Sequence, residues 1–403
     1  MVNKLAGEKS RQYVRKFSDN PHLLLTNLTI YFFLTLAFIF SGTLLSLDLL
    51  AHAYSDFDIG ITASLYSVGY ILSNFIISKY FDMFANKFIF PSLYLSLAGA
   101  IIATPFCDQT FFVYVLRFLW GGLSGMLFTL LVISTIQHTV QARMATVMSF
   151  IAVLIGLGSS LGPFLIQYTG VTGITPFLLA SIFLVVTFPV ALGFKIQKAK
   201  EEKIKKHKSI FAGLIYIIAL PVFVLFCISI GAGFSSGKYI TIFAEQFYHM
   251  TSGDAALLLS IFSLGAFFMS IPIGILADRL GPSKVILGVS FVFILLCAVL
   301  YQFQIFSDSF YVIFFVMGGI LGSIYSLVMA FLSSVVDASD IPKAISGCNI
   351  FSKVGAIGGT LIIGAVMTKY GAHQLLLAFL GGMLIIFLAG FIKVKPLGKK
   401  SSA

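Results

Sequence analysis

The sequence predicts an all-α membrane protein, with twelve transmembrane helices arranged as two pseudo-symmetric six-helix bundles. Apolar residues make up 59% of the 403 residues and charged residues only 10%, whereas about 25% of a soluble domain is charged. The mean hydropathy is +1.02, and the apolar residues gather in runs of about 20, the length that crosses a bilayer. Two matching loops half a chain apart indicate that one unit is used twice.

Twelve apolar runs of this length follow one another along the chain. They cover residues 23–47, 59–77, 88–106, 111–136, 144–166, 173–194, 217–243, 255–276, 285–306, 310–336, 344–368 and 375–392. We expect each run to be a helix, because a spanning segment must satisfy its backbone polar groups internally, and barrel strands would be about 10 residues long with alternating polarity. Pro163 and Pro221 can interrupt the helical hydrogen bonding where they occur.

The repeat is visible in three landmarks. The first is the loop pair 78–87 (SKYFDMFANK) and 274–284 (GILADRLGPSK), whose aspartates Asp82 and Asp278 lie 196 residues apart. The second is Trp-Gly-Gly at 120–122 against Met-Gly-Gly at 317–319, and the third is Tyr-Thr-Gly ending at Gly170 against Lys-Tyr-Gly ending at Gly371. Similar offsets at three places predict two related halves, as in secondary transporters with parallel repeats.

Lysine and arginine predict the orientation. With an even number of spans both termini share a side, and that side collects 22 of the 26 basic residues. This bias predicts that residues 1–22, the basic linker 195–209 and the tail 395–403 are cytoplasmic, around bundles 23–194 and 210–394. We expect a multi-pass protein of the bacterial inner membrane, with no cleaved leader, because the first apolar run exceeds a signal peptide's 7 to 15 residues. The net charge of +11 is then a topology signal and predicts no nucleic-acid partner.

The motifs resemble those of the major facilitator superfamily. The resemblance rests on its loop signature (Gly274, Leu276, Asp278, Arg279 and Gly281, and in the first half Asp82 and Lys87), on its fourth-span signature (Arg117, Gly121) and on its fifth-span packing motif (Gly158, Gly162, Pro163). It implies a transporter that works by alternating access. It also implies that Asp278 contacts the start of span five and that Asp82 contacts the start of span eleven at Asp340-Ile341-Pro342, as gate contacts at the cytoplasmic ends. Because Met83 stands where the family has arginine, we expect the Asp82 contact to be the weaker one.

Cations inside spans are the best candidates for a substrate site, because charge in hydrocarbon is expensive unless it faces a cavity or a partner. Lys353 lies about 14 Å into its span at 1.5 Å per residue, near the middle of the bilayer. Arg117 lies about 9 Å from its periplasmic end on the same scale, and the family resemblance implies a role in proton or substrate handling there. Lys238 is similarly shallow. Tyr31 and Tyr325 are the aromatic residues that we expect to line the cavity with these cations.

An excess of positive charge in the spans predicts an anionic or zwitterionic substrate, which would supply the counter-charge. No carboxylate lies clearly at mid-depth. Asp48 is the nearest candidate for proton coupling. Facilitated diffusion, without a coupled proton, is the alternative mode of transport. Multidrug or lipophilic-cation efflux is an alternative, and a non-transporting receptor on a transporter fold is another.

Enzyme activity is not expected. Two serine motifs, Gly122–Gly125 and Gly233–Gly237, have no histidine at the same depth to act as a base, and the chain has no Walker loop. The four cysteines are scattered, which predicts neither a metal site nor a disulfide framework. We therefore expect a cofactor-free monomer in the lipid bilayer, with a small-molecule substrate and possible proton coupling.

Overall fold

A computed structural model describes residues 20–52, 56–107, 109–169, 173–197, 211–236, 239–250, 252–303, 308–337 and 339–392. Every element assigned within these ranges is helical, which confirms the predicted all-α class. We call residues 20–197 the first half and residues 211–392 the second half. The predicted N-terminal segment, central linker and tail fall mostly outside the described residues.

The first half contains six helices. They are α1 (Pro21–Ala51), α2 (Asp56–Tyr80), α3 (Ile89–Ala103), α4 (Thr110–Gln137), α5 (Met144–Thr169) and α6 (Ile174–Ala191). Short 3-10 helices at Phe81–Ala85, Thr104–Phe106 and Gln141–Arg143 lie in the connections. Their lengths and order match the predicted spans one to six.

The described residues of the second half contain eight α-helices, because the region of its first span is described in three pieces. The pieces are α7 (Ala212–Ile218), α8 (Pro221–Ser236) and α9 (Ile240–Tyr248), followed by α10 (Ser252–Leu280), α11 (Pro282–Phe303), α12 (Asp308–Val335), α13 (Ile341–Tyr370) and α14 (Gln374–Gly390). Pro221 has no N–H for a helical bond, and it is tolerated in the first turn of a new helix. The break before α8 therefore occurs where the sequence allowed one.

Length and apolar composition identify nine of the described helices as able to cross a membrane. Two further apolar helices are shorter, at Pro221–Gly233 and Gln374–Gly390, and α2 is 25 residues long without being one of the nine. The exact count of twelve spans therefore stays a prediction, while the multi-pass helical architecture is confirmed.

Both halves contain the same close helix crossing. In the first half, a methyl group at Gly121 of α4 would lie 2.7 Å from the carbonyl carbon of Tyr66 in α2. In the second half, a methyl group at Gly318 of α12 would lie 2.6 Å from the carbonyl carbon of Phe262 in α10. Because only glycine lets two helix backbones approach this closely, the α2–α4 pair and the α10–α12 pair repeat one packing arrangement.

The halves meet through α2 and α5 of the first and α10, α12 and α13 of the second, whereas α3 packs on α6 and α11 on α14 at the outside. One end of the bundle carries the basic residues of the short connections. We call it the basic end, and it is marked by Lys79, Lys87, Arg143, Arg279 and Lys343. The contacts between halves described below lie at this end or midway along the helices.

Candidate functional site

Arg117 lies inside the first half, on α4. Its guanidinium carbon is 5.1 Å from the ring centroid of Tyr66 and 5.1 Å from that of Trp120. The side chain is only 9% exposed, and Trp120 is 1% exposed. Cation–π attraction therefore stabilises the buried charge from two sides.

Three buried N–H donors at this position have no hydrogen-bond acceptor among the described residues. They are Nε and Nη1 of Arg117 and Nε1 of Trp120. Leaving a buried donor unsatisfied costs about 1–3 kcal/mol, and more when the group is charged. The aromatic faces stabilise part of the positive charge. They do not accept hydrogen bonds from these N–H groups as the oxygens of a carboxylate would. The cluster is therefore chemically incomplete and suited to an acceptor that arrives from outside the protein.

Lys353 reaches the same aromatic residues from the second half. Its ammonium nitrogen is 4.5 Å from the ring centroid of Tyr70 and 5.5 Å from that of Tyr66. Lys353 lies 12 residues after the start of α13, about 18 Å along the helix axis. Tyr66 thus lies against both cations, one from each half of the molecule. This position also joins two of the residues that the sequence singled out.

A cluster of aromatic rings extends from Tyr66 to α1. The ring of Phe38 stacks on Tyr66 with a centroid distance of 5.1 Å, and Phe38 also contacts Phe128. Tyr31 is buried and its ring lies 5.3 Å from that of Phe128. Ser124 donates a 3.0 Å hydrogen bond to the hydroxyl of Tyr66. Tyr31 therefore belongs to the aromatic cluster beside the cations, although it does not touch them directly.

A chain of hydrogen bonds connects the two halves on the side of this cluster that faces the basic end. The hydroxyl of Tyr325 donates to Oδ1 of Asn349 at 3.1 Å, and Nδ2 of Asn349 donates to Oγ1 of Thr129 at 2.8 Å. Thr129 in turn donates to Oδ1 of Asn74 at 2.9 Å. The Asn349–Thr129 bond joins α13 to α4, so the buried chain fixes the relative position of the two halves at mid-depth. Tyr325 is part of this chain.

At the basic end, Asp278 joins α10 of the second half to α5 of the first. Its Oδ1 accepts a hydrogen bond from the backbone N–H of Ala145 at 2.9 Å, and its Oδ2 accepts from the backbone N–H of Thr146 at 3.1 Å and from the Thr146 hydroxyl. These N–H groups belong to the first turn of α5, where the helix dipole favours an anion. Asp278 therefore contacts the start of span five, as the resemblance implies, and its role in a gate stays a prediction.

The glycines around Asp278 have distinct structural reasons. A methyl group at Gly274 would meet the side chain of Ser149 and would lie 2.9 Å from the carbonyl oxygen of Ala145, so Gly274 allows the close approach of α10 to α5. Gly281 ends α10 with φ +94°, a left-handed conformation that glycine adopts readily. Arg279 is exposed beside them.

Asp82, the other loop aspartate, makes no corresponding contact among the residues that the structure describes. Asp82 is exposed on the 3-10 helix, and the described part of the chain gives it no hydrogen bond or ion pair with the start of α13. Asp340 does not cap α13 with its side chain but pairs with Lys343 at 2.7 Å. Instead, the Ser78 hydroxyl accepts a hydrogen bond from the backbone N–H of Gly213 in α7. Ser78 occupies the place of Gly274 in the repeat, and its hydroxyl makes the contact between halves that the aspartate does not.

The family profile of the Major Facilitator Superfamily matches residues 28–251 and 222–403. The chain belongs to this superfamily. Comparison with curated protein sequences found no match.

Solved structures with the same fold include other transporters of the superfamily. The human organic anion transporter MFSD10 (TETRAN) has a TM-score of 0.73 at 12% identity, over 92% of this chain and 99% of that chain. FucP in its outward conformation has a TM-score of 0.71 at 16% identity, over 91% and 97% of the two chains, and a second structure names it the E. coli fucose:proton symporter. A bacterial homologue of the iron transporter ferroportin in an outward-facing state has a TM-score of 0.63 at 13% identity, over 92% and 98%. At these identities the likeness shows the shared fold.

The remaining predicted residues of this superfamily member fall in three groups. Gly158 is close-packed, since a methyl group there would lie 2.9 Å from Cγ2 of Thr35 on α1. Gly162 and Pro163 lie within α5, which continues through both. Lys87 is exposed, and its ammonium group lies 5.0 Å from the ring centroid of Phe88. Lys238 lies outside the described residues.

Asp48 lies near the end of α1 that is opposite the basic end. Its carboxylate oxygen is 3.6 Å from Nδ1 of His52, and its side chain is 14% exposed. Burial raises the pKa of Asp48 above its ordinary value, and the neighbouring charge of His52 partly lowers it. Asp48 is therefore a carboxyl group that binds a proton more readily than a solvated one. Asp48 lies near the end of α1 and is far from Arg117 in the sequence.

Sequence reasoning missed part of the cluster. Trp120, Tyr66 and Tyr70 were not expected to surround the two cations, and Asn349 and Thr129 were not expected to join the halves. Aromatic and amide side chains in spans more often pack helices or anchor them at the interface, so their type alone does not identify a site. The spacing of Arg117 and Trp120 on one helical turn was a usable signal, because residues three apart share a helix face.

Proposed function

We propose that this superfamily member is a secondary transporter of small organic anions or zwitterions, with the substrate's anionic group bound beside Arg117 and Trp120. The observation that carries the proposal is the set of three buried N–H donors that lack an acceptor within the described part of the chain. A carboxylate has two oxygens with about four lone-pair positions, and it accepts well from a guanidinium fork. Such a group supplies what these donors lack.

The charge distribution supports the same substrate class. Arg117 and Lys353 both lie against Tyr66, so the cluster brings two cations to one position. Hydrogen bonds to charged groups contribute about 1.5–3 kcal/mol each in proteins. An anion therefore gains affinity at this position, whereas a lipophilic cation would be repelled. The multidrug alternative is less favoured for this reason.

The comparisons support the proposal at the level of class. One of the structural neighbours is described as an organic anion transporter and another as a fucose:proton symporter. At this low identity the likeness extends only to the fold. The proposed substrate class rests on Arg117 and Trp120 of this chain. The neighbours show that this fold accommodates anion transport.

The contacts between the halves support alternating access. Asp278 holds α10 to α5 at the basic end, Ser78 holds α2 to α7, and Asn349 holds α13 to α4 at mid-depth. Given the predicted cytoplasmic orientation of the basic end, this arrangement is closed to the cytoplasm. Substrate exchange with the cytoplasm would require these contacts to separate, so we assign Asp278 and its neighbours Gly274, Arg279 and Gly281 to the gate.

We assign proton coupling to Asp48. A coupled proton needs a group that gains and loses it within the physiological range, and burial moves the Asp48 pKa upward towards that range. Nδ1 of His52 lies 3.6 Å from the carboxylate, and the charge of His52 partly lowers the Asp48 pKa. Facilitated diffusion is the competing scheme, and it predicts uptake that does not respond to a pH gradient.

The test is uptake by the purified protein in liposomes. A panel should pair each carboxylate with its neutral amide and should include a lipophilic cation. We expect saturable uptake of carboxylates, little uptake of the amides, and a loss of about tenfold or more in Arg117→Gln, which corresponds to the hydrogen bonds of one charged group. Lys284→Gln, which removes an exposed charge at the basic end, should keep wild-type uptake.

Other outcomes would overturn parts of the proposal. Equal uptake of amides and carboxylates would remove the anion assignment, and uptake of the lipophilic cation alone would establish the efflux alternative. Thermal stabilisation by a ligand without any saturable flux would indicate a receptor.

A further inference from the structure

A cavity lies at the basic end, away from the cations of the substrate site. Its volume is about 270 Å³, and it lies between the connection from α2 to α3 and the extended segment that follows α6. Lys87 and Asn86 line it from the connection, and Phe194, Lys195 and Ile196 line it from the segment. Its lining among the described residues holds two lysines and no acidic residue.

The extended segment is held in place by side chains of α4. Ser134 donates a 2.7 Å hydrogen bond to the carbonyl oxygen of Lys195. Gln137 and the backbone of Gln197 exchange two hydrogen bonds, of 3.1 and 3.0 Å. Phe194 stacks on Phe90 of α3 with a centroid distance of 3.8 Å. Lys195 is therefore displayed from an ordered backbone, which lowers the entropy lost when its ammonium group binds a ligand.

Exposed apolar side chains lie close in sequence to the residues that line the cavity. On α6, Val185 and Val186 are 53% and 66% exposed, and Leu192 beyond the helix is 55% exposed. Phe88, at the start of α3, is 65% exposed. In a membrane-spanning chain such apolar side chains contact acyl chains, so a molecule in this cavity can have its polar group beside the lysines and its tails along α3 and α6.

We propose that this cavity binds the headgroup phosphate of an anionic phospholipid. The phosphate would lie between the ammonium groups of Lys87 and Lys195, and the amide of Asn86 would be available to donate to its oxygens. Basic pockets at the cytoplasmic face of membrane proteins attract anionic headgroups, at about 1 kcal/mol for each lysine near the surface. The adjoining Phe88 and Leu192 favour a lipid over a free anion. The site is separate from the proposed substrate site and does not depend on it.

The experiment measures retained and added lipid on the full-length protein. The protein is purified from a membrane containing phosphatidylglycerol, and bound lipid is counted by native mass spectrometry. Thermal stability is then recorded with phosphatidylglycerol, with phosphatidylcholine and with inorganic phosphate. The variant is Lys87→Gln with Lys195→Gln, and the matched control is Lys79→Gln with Lys284→Gln, which removes two exposed lysines from the same end without touching the cavity.

We expect one phosphatidylglycerol to be retained by the wild type and by the control. The cavity variant should retain about fivefold less for each lysine removed, and it should lose the thermal stabilisation by phosphatidylglycerol. Phosphatidylcholine and inorganic phosphate should stabilise all three proteins equally little. Equal retention in the cavity variant and the control would overturn the proposal, and so would stabilisation by phosphatidylcholine or by inorganic phosphate alone that matches phosphatidylglycerol. A thermal midpoint of the cavity variant without lipid that equals the control's verifies that it is folded.

Discussion

The two halves share their helix crossings but differ at the residues beside them. Gly121 and Gly318 contact the backbone carbonyls of Tyr66 and Phe262 in the same way. One turn before each glycine, the first half has Arg117 and the second half has Phe314. Arg117 lies over the ring of Tyr66 at 5.1 Å, and Phe314 lies 6.4 Å from the ring of Phe262. Equivalent positions thus hold a cation–aromatic pair in one half and an apolar aromatic pair in the other.

The loop aspartates of the two halves also differ, and here the second half is the one that makes the charged contact. Asp278 of the second half is fully engaged with α5, whereas Asp82 of the first half is exposed. The repeat therefore preserves the packing scaffold, while the charged groups are distributed unevenly, with the proposed binding donors in the first half and the anionic contact proposed for the gate in the second.

The largest expected effect concerns the shared crossings. Gly121→Ala and Gly318→Ala should each destabilise the protein by about 3 kcal/mol or more, because the added methyl group overlaps a backbone carbonyl that cannot rotate away. Thermal unfolding in detergent measures this. Gly99→Ala and Gly288→Ala are the controls, since a methyl group at either meets no atom within 4 Å. Tolerance of one crossing substitution but not the other would show that the two crossings are not equivalent.

The next effect concerns the two aspartates. Asp278→Asn removes a charge that accepts hydrogen bonds from the first turn of α5, at a cost of about 1.5–3 kcal/mol to the closed arrangement. Initial uptake into liposomes should fall about tenfold. Asp82→Asn should change uptake by less than about twofold, as expected for an exposed charge without a close partner. Equal losses would indicate that Asp82 makes its contact in another state of the cycle.

A smaller effect is expected at mid-depth. Thr129→Val keeps the side-chain shape but removes the hydroxyl that joins Asn349 to Asn74. The loss should weaken the closed arrangement by about 1 kcal/mol, which shifts the equilibrium between closed and open arrangements about fivefold. A cysteine placed at the buried Ala145, in a background without Cys107, should react correspondingly faster with a water-soluble maleimide. Ser270→Ala breaks the Ser323–Ser270 bond within the second half and should leave the labelling rate unchanged. An unchanged rate in Thr129→Val would contradict the role of the buried chain.

The smallest effect concerns pH. The raised pKa of Asp48 means that the folded protein holds its proton to higher pH than the unfolded chain, so ionisation costs stability as the pH rises through and above the ordinary carboxyl range. Asp48→Asn should therefore melt higher than the wild type at neutral pH and should flatten the pH profile of uptake. His52→Gln removes the charge that lowers this pKa and should shift the profile to higher pH. A wild-type profile in Asp48→Asn would remove Asp48 from coupling.

Much of the fold could be predicted from the sequence, because span length and the repeat of landmarks are imposed by the bilayer and by duplication. The contact of Asp278 was predictable for a similar reason, since its motif is nearly complete. The contact expected of Asp82 stays a prediction, because the same motif is eroded there and Asp82 is exposed in the structure. Nothing in the loop indicated that Ser78 would join the halves instead. The surroundings of Arg117 were not predictable either. They depend on which faces α2 and α4 turn towards each other, and that is decided by glycines whose partners are distant in sequence.

Ser78, Gly213 and Gly347 meet where α2, α7 and α13 converge, and there is almost no free volume between them. A methyl group at Gly213 would lie 2.9 Å from the carbonyl oxygen of Lys343 and 2.9 Å from the Ser78 hydroxyl oxygen, while one at Gly347 would meet the Gly213 backbone. Because α7 is separated from α8 by the interruption at Pro221, the backbone that meets Ser78 and Gly347 is not a continuous extension of α8. A side chain at either glycine would push α7 away from α2 or α13, so the closeness of these three helices at the basic end depends on glycine at both positions.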